Sequence, residues 1–308
     1  MVRRPSDKVV RPTNPAQREL LDPAAPMSPE EAAALERIKS ILLADGGRDI
    51  SQYKDRYLRR RLNVRVRATK LPSYAAYVRL LEREPRELPI LLDKLTINVT
   101  EFFRNPQVWR VVSTVVLPAL FADRPEGSMI RVWSAGCANG QEAYSILFTL
   151  IEYLDQHPGK WKIVIRGTDV DRASLQTARA GCYPTATLRG ATPEVVARYF
   201  EDAPDPQGEA RPHVRVRKEF RDRVTFQYHD LVSDRPQRYF DLILCRNMLI
   251  YLSKAQQEHV LRSLHAALVS RGFLVLGKTE SMAVALRPAF QLVDVAERVY
   301  QRLDIPPT

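Results

Sequence analysis

From Ile130 onward, short apolar runs alternate with helical patterns, and this alternation constrains the fold more than any other feature of the chain. Strands that are apolar on both faces belong to a parallel sheet with helices packed on both sides. The sequence therefore predicts a doubly wound α/β fold with a mostly parallel sheet. The predicted strands are 130–134, 161–169, 224–230, 239–247 and 272–280, with one or two more in 290–303.

One stretch, at about 182–223, interrupts this alternation. It carries five prolines, and within it residues 213–220 alternate like an edge strand. A connection of roughly 40 residues is too long for a plain loop in a compact domain. We therefore expect an inserted antiparallel β-subdomain.

The chain ahead of the α/β region has a different texture. Residues 1–27 contain five prolines without apolar periodicity, which is typical of a flexible tail. A helical domain is predicted over 28–96, where Ser28 and Glu31 have the spacing of a capping box. Residues 97–129 are predicted to form a linker and connecting helix, and 130–308 the α/β domain.

Charge indicates the kind of partner. The 308 residues include 47 Lys and Arg against 36 Asp and Glu, a formal net charge of +11, which favours an anionic partner. The excess is concentrated at 50–69, which is predicted to be helical and to place one group of arginines in one sector. This group could be a docking surface for an anionic partner or only a solvated face, and it comprises Arg56, Arg59, Arg60 and Arg67.

The three cysteines are far apart and form no metal-binding pattern. Such sparse usage argues against a disulfide framework or a zinc site and favours a reducing compartment. No run reaches the roughly 18 apolar residues of a membrane-spanning helix, and the first residues lack the apolar core of a secretory signal. We expect a cytoplasmic protein without membrane insertion.

A glycine-containing loop follows the first predicted strand. Gly136 and Gly140 would let the backbone approach a ligand, and Asp169 ends the second strand, where ribose hydroxyls bind in such folds. The loop lacks both the G-x-G-x-x-G pattern and the Lys-Ser/Thr of a phosphate-binding loop. This favours S-adenosylmethionine over a dinucleotide, and a purely structural turn remains the third interpretation.

Two further segments, INVTEFFRN (97–105) and CRNMLIYL (245–252), combine polar and aromatic residues. Each could anchor a core through its aromatic residues. The second follows the fourth strand, where α/β folds place ligand-binding groups.

Six segments occur in this order along the chain: INVTEFFRN, RVWSAGCANGQEAYSI, GTDVDRASLQTARAGCYP, RVRKEF, FDLILCRNMLIYL and GFLVLGKTES. Taken together, they resemble the CheR family, the chemotaxis-receptor glutamate methyltransferases. The resemblance extends from about residue 30 to the end of the chain. It implies a helical N-terminal domain, an S-adenosylmethionine-binding domain and a β-subdomain that contributes to receptor docking.

Site residues follow from the same resemblance. It implies that Arg104 positions the acceptor carboxylate and that Tyr251 donates a hydrogen bond near the reacting groups. Asp230 and Leu231 stand where the family usually has Asn-Leu, so a side-chain contact there is a weaker expectation. The residues expected to bind the cofactor are Asn98, Thr100, Arg104, Ala135, Gly136, Glu142, Asp169, Asp230, Leu231, Arg246 and Asn247.

The implied reaction forms a glutamyl methyl ester, with S-adenosylhomocysteine as the other product and no metal. The implied partner is the cytoplasmic helical region of a methyl-accepting chemoreceptor; we expect a monomer that binds no nucleic acid. The basic charge keeps one alternative open, an RNA methyltransferase. A second alternative is a catalytically silent adaptor that docks on receptors and binds the cofactor.

Overall fold

The computed structural model describes residues 26–46, 53–95, 100–122, 124–206, 208 and 212–305. The chain divides into two compact units, Met1–Ile97 and Asn98–Thr308. Within the described ranges, no helix is both long enough and apolar enough to cross a membrane.

The first unit is helical in its described part. Its first helix begins with the predicted capping box: the Ser28 hydroxyl accepts a hydrogen bond from the Glu31 amide at 3.2 Å, and the Glu31 carboxylate accepts one from the Ser28 amide at 2.9 Å. Both partners satisfy amides that a helix start leaves unpaired. The helices are α1 (Pro29–Gly46), α2 (Asp55–Ala68), α3 (Tyr74–Arg83) and α4 (Glu87–Leu95).

Buried polar contacts connect these helices. Arg65 on α2 donates from two guanidinium nitrogens to the Glu87 carboxylate on α4, each at 2.8 Å, and the Tyr77 hydroxyl donates to the same carboxylate at 2.7 Å. A two-pronged pair of this kind fixes both distance and orientation. At least one arginine of the strongly basic helix α2 therefore stabilises the packing of the helices in its own unit.

The burial of Arg59 corrects the prediction that four arginines of this helix share one solvent-facing sector. The structure exposes Arg56, Arg60 and Arg67 but buries Arg59 at 4% exposure. At about 100° per residue, Arg59 lies only about 20° from the buried Val66, so it belongs to the face that packs inward. Its guanidinium interacts with the Tyr74 hydroxyl on α3.

The second unit begins with helices of the predicted connecting region. A π-helical turn (Val112–Val116) separates α5 (Pro106–Val111) from α6 (Leu117–Phe121). At this turn the hydroxyls of Ser113 and Thr114 donate to the Arg110 carbonyl, at 3.0 and 2.9 Å.

A seven-stranded sheet forms the centre of the second unit, in the order β6-β2-β1-β7-β8-β10-β9. The pairs from β6 to β8 are parallel, whereas β10 is antiparallel to both β8 and β9. The predicted doubly wound, mostly parallel fold is confirmed. The strands are β1 (Met129–Ala135), β2 (Lys162–Asp169), β6 (Val224–Tyr228), β7 (Phe240–Cys245), β8 (Leu268–Leu276), β9 (Phe290–Asp294) and β10 (Val299–Arg302).

Apolar residues on both faces of the strands build two cores. On β7, Leu242 and Leu244 pack into one cluster while Ile243 and Cys245 pack into the other. Alternate side chains point to opposite faces, so a fully apolar strand needs cover on both sides. Helices flank the sheet strands along the chain; those after β1 are α7 (Gln141–Gln156), α8 (Arg172–Ala180), α9 (Pro193–Tyr199), α10 (Lys218–Arg221) and α11 (Lys254–Ala267).

The predicted insertion is a separate antiparallel sheet of three strands. It contains β3 (Cys182–Pro184), β4 (Phe200–Ala203) and β5 (His213–Val216), in the order β3-β5-β4. The prediction of an edge strand for 213–220 was wrong, because β5 is the central strand. The alternation of valine with histidine and arginine does not distinguish the two positions, which depend on pairing with β3 and β4.

The strand order places the site. Chain connections lead away in opposite directions from β1 and β7, which are neighbours in the sheet. In open α/β sheets, ligands bind beyond the carboxyl ends of the strands at such a reversal.

Candidate active site

The loop after β1 is held against the end of β2. The amides of Gly136 and Cys137 donate to the Thr168 carbonyl at 2.8 and 2.9 Å. Gly136 has φ of 78° and Gly140 has φ of 91°, a region that favours glycine. A Cβ added to Gly140 would lie 2.7 Å from the Cβ of Ala178, so glycine is also required for α7 to pack on α8.

Asp169 connects the carboxyl end of β2 to this loop. Its Oδ2 accepts the amide of Ala138 at 2.9 Å, and its Oδ1 accepts the amide of Asp171 at 2.8 Å. The carboxylate thus lies at the carboxyl end of β2, where α/β folds bind ribose hydroxyls. The half-buried Asp169 therefore has the chemistry to bind ribose hydroxyls.

Glu142 and Arg246 were predicted to bind cofactor, and the structure brings them together. Arg246 donates to Glu142 at 3.2 Å and to the main-chain carbonyl of Arg104 at 2.9 Å. The Ser134 hydroxyl donates to the other Glu142 oxygen at 2.7 Å. Since the Arg246 side chain is 3% exposed, its structural effect is to fasten the Arg104 segment to β1 and α7.

Trp109 completes this assembly from α5. Its indole N–H donates to the same Arg104 carbonyl at 3.1 Å, and the Arg246 guanidinium lies 5.6 Å from the centre of its ring. Sequence reasoning missed both Trp109 and Ser134. Ser134 stands within the quoted RVWSAG segment, whereas nothing in the local pattern indicates that Trp109 reaches Arg104.

The loop after β7 carries Asn247 and Tyr251. Asn247 has φ of 60°, and Leu249–Tyr251 forms a 3₁₀ turn. A Cβ added to Gly136 would lie 3.3 Å from Cγ of Met248, so this loop lies against the glycine loop. The ends of β1 and β7 therefore meet as their order in the sheet predicts.

Asp230 and Leu231 follow β6 beside Asp169. The amide of His229 donates to the Asp169 carbonyl at 3.2 Å. The Asp230 carboxylate accepts the amide of Val232 at 2.9 Å and the Ser233 hydroxyl at 2.8 Å. It thus organises its own turn, and Leu231 is buried.

The remaining predicted residues divide by what the structure describes. Ala135 is fully buried at the end of β1, and Thr100, Arg104 and Tyr251 are half-buried. Asn98 lies outside the described residues.

Burial controls the ionisation of two thiols at this edge. It raises the pKa of Cys137 and of Cys245 well above the ordinary value, and neighbouring carboxylates add to the effect. Because the thiolate is the nucleophilic form, this burial disfavours a nucleophilic role for either residue. In the described part of the chain, no group of three or more His, Cys, Asp and Glu side chains could hold a metal ion.

The donor set fits S-adenosylmethionine. Asp169 ends β2, where a ribose binds in such folds, Gly136 takes a left-handed conformation in the loop after β1, and this loop supplies no lysine for a phosphate. Among the residues expected to bind it, Asp169 ends β2, and Gly136, Leu231 and Asn247 follow β1, β6 and β7.

Comparison with known proteins identifies the family. The family model described as "CheR methyltransferase, SAM binding domain" matches residues 98–299, and the one described as "CheR methyltransferase, all-alpha domain" matches residues 33–96. The two ranges together cover most of the chain.

Two chemotaxis methyltransferases that are matched over most of their own length agree with the family models. A "Chemotaxis protein methyltransferase" of Salmonella typhimurium is 32% identical over 83% of this chain and 86% of its own length. One from Vibrio parahaemolyticus is 34% identical over 80% and 86%, respectively. An "Uncharacterized 104.1 kDa protein" of Rhodobacter capsulatus is 34% identical over 89% of this chain, which spans only 28% of that relative. The resemblance inferred from the motifs is confirmed: the chain belongs to the CheR methyltransferase family.

Proposed function

We propose that the protein transfers the methyl group of S-adenosylmethionine to glutamate side chains in the cytoplasmic helical region of a chemoreceptor, giving glutamyl methyl esters. One observation carries the proposal, namely that two groups meet in the segment after β1. Asp169 binds the glycine loop there, and Arg246 joins the Arg104 carbonyl to Glu142 on the following helix, α7. A cofactor site and a guanidinium-bearing segment thus share one edge of the sheet. The family match favours this activity over an RNA methyltransferase or a silent adaptor.

The acceptor needs no general base. A glutamate has a pKa of about 4.3, so its carboxylate is already ionised at neutral pH. When bound, S-adenosylmethionine supplies an electrophilic methyl group on positively charged sulfur. The protein must therefore bind the two reactants, orient them and exclude water. Correct alignment of the reactants alone removes a large part of the activation barrier to methyl transfer.

Two residues are assigned to the acceptor. Arg104 holds the acceptor carboxylate with its guanidinium, while its own carbonyl is fixed by Arg246 and Trp109. Tyr251, on the loop after β7, donates a hydrogen bond near the reacting groups. Fixing the main chain of Arg104 limits the positions its side chain can take, which favours one geometry for the acceptor.

Charge supports the choice of partner. The exposed arginines of α2 (Arg56, Arg60 and Arg67) form what we call the basic face. Receptor helices around methylated glutamates are expected to be acidic, and complementary charge raises association rates and sets orientation.

The proposed reaction is tested by incubating the protein with radiolabelled S-adenosylmethionine and membranes bearing the receptors of its own cell. We expect label in receptor bands that is released as methanol by mild base, as a methyl ester requires. Base-stable label, or label in RNA, would contradict the glutamate assignment. Cofactor binding without any incorporation would indicate an adaptor.

The basic face gives a smaller, separate prediction. Reversing Arg56 and Arg60 to glutamate should raise the KM for receptor about fivefold, and less at high salt, because exposed charges are screened beyond about 8 Å at physiological ionic strength. Cofactor affinity should stay unchanged. Steady-state kinetics at low and high salt measure both.

The matched control reverses Arg83 and Arg86, which are exposed in the same unit outside α2. It changes net charge equally and should leave the KM for receptor within twofold. If both double variants behave alike, the basic face is only a solvated surface.

A further inference from the structure

Glu280 is a buried carboxylate that follows β8 and has no assigned role in the reaction proposed above. It is 4% exposed, and its Oε2 accepts the amides of Asn247 at 2.9 Å and Gly277 at 2.7 Å. Its Oε1 accepts the amide of Ile250 at 3.2 Å. In the described part of the chain it forms no ion pair with a lysine or arginine, so main-chain amides provide its polar contacts.

The loop that Glu280 contacts needs support. Asn247 has φ of 60°, a conformation that costs free energy for a residue with a side chain. The Gln257 side chain donates to the carbonyls of Leu249 and Leu252 at 2.8 and 3.1 Å. Two side chains thus satisfy the loop from outside it, one binding its amides and the other its carbonyls.

Burying the Glu280 carboxylate costs free energy of folding, so its presence here calls for a further reason. Burial raises the pKa of Glu280, because removing its charge from water disfavours the ionised form. A buried carboxylate without a cation is unfavourable unless hydrogen bonds compensate for it. Two of these compensating hydrogen bonds come from Asn247 and Ile250 in the loop that follows Arg246, which points to a role in the geometry of that loop.

We propose that Glu280 is a positioning residue that fixes the loop 246–251 and so presents Asn247 and Tyr251 to the cofactor and the acceptor. The claim that the loop presents Asn247 to the cofactor and Tyr251 to the acceptor rests on the proposed function. The fixing of the loop is independent of it and can be measured without an acceptor.

The test is Glu280→Gln, which keeps the shape of the side chain. A glutamine has one carbonyl oxygen and one NH₂ group. In either orientation, its NH₂ group therefore faces a main-chain N–H that donates to a carboxylate oxygen in the parental protein. We expect hydrogen exchange in the peptide spanning 246–252 to accelerate about tenfold. We also expect kcat to fall about tenfold, with the KM for receptor within twofold, and the Kd for S-adenosylhomocysteine to rise severalfold.

Glu297→Gln is the matched control. Glu297 is also buried, at 5% exposure, and pairs with Lys278 at 2.8 Å rather than with the loop. Exchange in 246–252 and kcat should stay within twofold of the parental values. If Glu280→Gln accelerated exchange equally in 246–252 and in the strands of the core, Glu280 would be a general stabilising residue and the proposal would be wrong.

Gly277→Ala approaches the same contact from the other partner. An added Cβ would lie 2.7 Å from Oε2 of Glu280 and 2.8 Å from the amide of Asn247, so it must separate them. The same local acceleration is expected, and parental exchange in both variants would overturn the proposal. If the parental protein methylated no receptor, the proposed function would fail while exchange and S-adenosylhomocysteine binding still decided the role of Glu280.

Discussion

Asp169→Ala is expected to weaken S-adenosylmethionine binding about 100-fold, or by about 2.8 kcal/mol. Hydrogen bonds to a charged group contribute about 1.5–3 kcal/mol each, and the carboxylate also holds the Ala138 amide of the glycine loop. The expected loss of about 2.8 kcal/mol corresponds to one such bond near the upper end of that range. Titration calorimetry on the folded variant measures it.

The neighbouring Asp171 supplies the control. Its carboxylate caps α8 by accepting the Ala173 amide at 3.1 Å and the Ser174 hydroxyl at 2.9 Å. Asp171→Ala should lower the free energy of unfolding by about 1 kcal/mol, as loss of a helix cap does, and leave cofactor affinity unchanged. Equal losses of affinity in the two variants would mean that Asp169 acts only through the local fold.

Arg104→Ala is expected to lower kcat about 100-fold, the cost of misplacing a reacting group by about 1 Å. The main-chain contacts of Arg104 with Arg246 and Trp109 should survive, because they use its carbonyl. The fold should therefore persist, and any loss of cofactor affinity should be smaller than the loss of turnover. Single-turnover kinetics with receptor separate the two effects.

Arg104→Lys refines the test. Lysine keeps the positive charge but lacks the planar two-pronged geometry of a guanidinium, so an intermediate kcat is expected if the acceptor carboxylate is held by two hydrogen bonds. Arg110→Ala, an exposed arginine on α5, should leave kcat within twofold. Parental turnover in Arg104→Ala would remove this residue from the reaction.

Local patterns predicted much of the fold. The near-continuous apolar runs at 130–134 and 239–247 became parallel strands because each needs cover on both faces. The Ser28–Glu31 capping box formed as its spacing predicts, since its contacts lie within one helical turn. The Asp169 position followed from the same logic, because a strand's end fixes where its last side chain lies.

Pairwise contacts between distant segments could not be predicted. Glu142 and Arg246 are 104 positions apart, so nothing local indicates that they bind one another. The burial of Arg59 depends on which residues α3 brings to α2, since the sequence alone leaves a basic residue at the border of an apolar face ambiguous. The central position of β5 likewise depends on pairing with two strands, and its alternation is the same in either position.

The burial of the cysteines makes them internal reporters of folding. Cys137, Cys182 and Cys245 are at most 6% exposed and form no disulfide. A thiol reagent can modify them only when the surrounding structure opens. With reagent in excess, the modification rate of native protein therefore approaches the opening rate, and S-adenosylmethionine should slow it at Cys137 more than at Cys182 in the β-subdomain. Mass spectrometry of quenched samples would thus follow the opening of two parts of one unit without any engineered label.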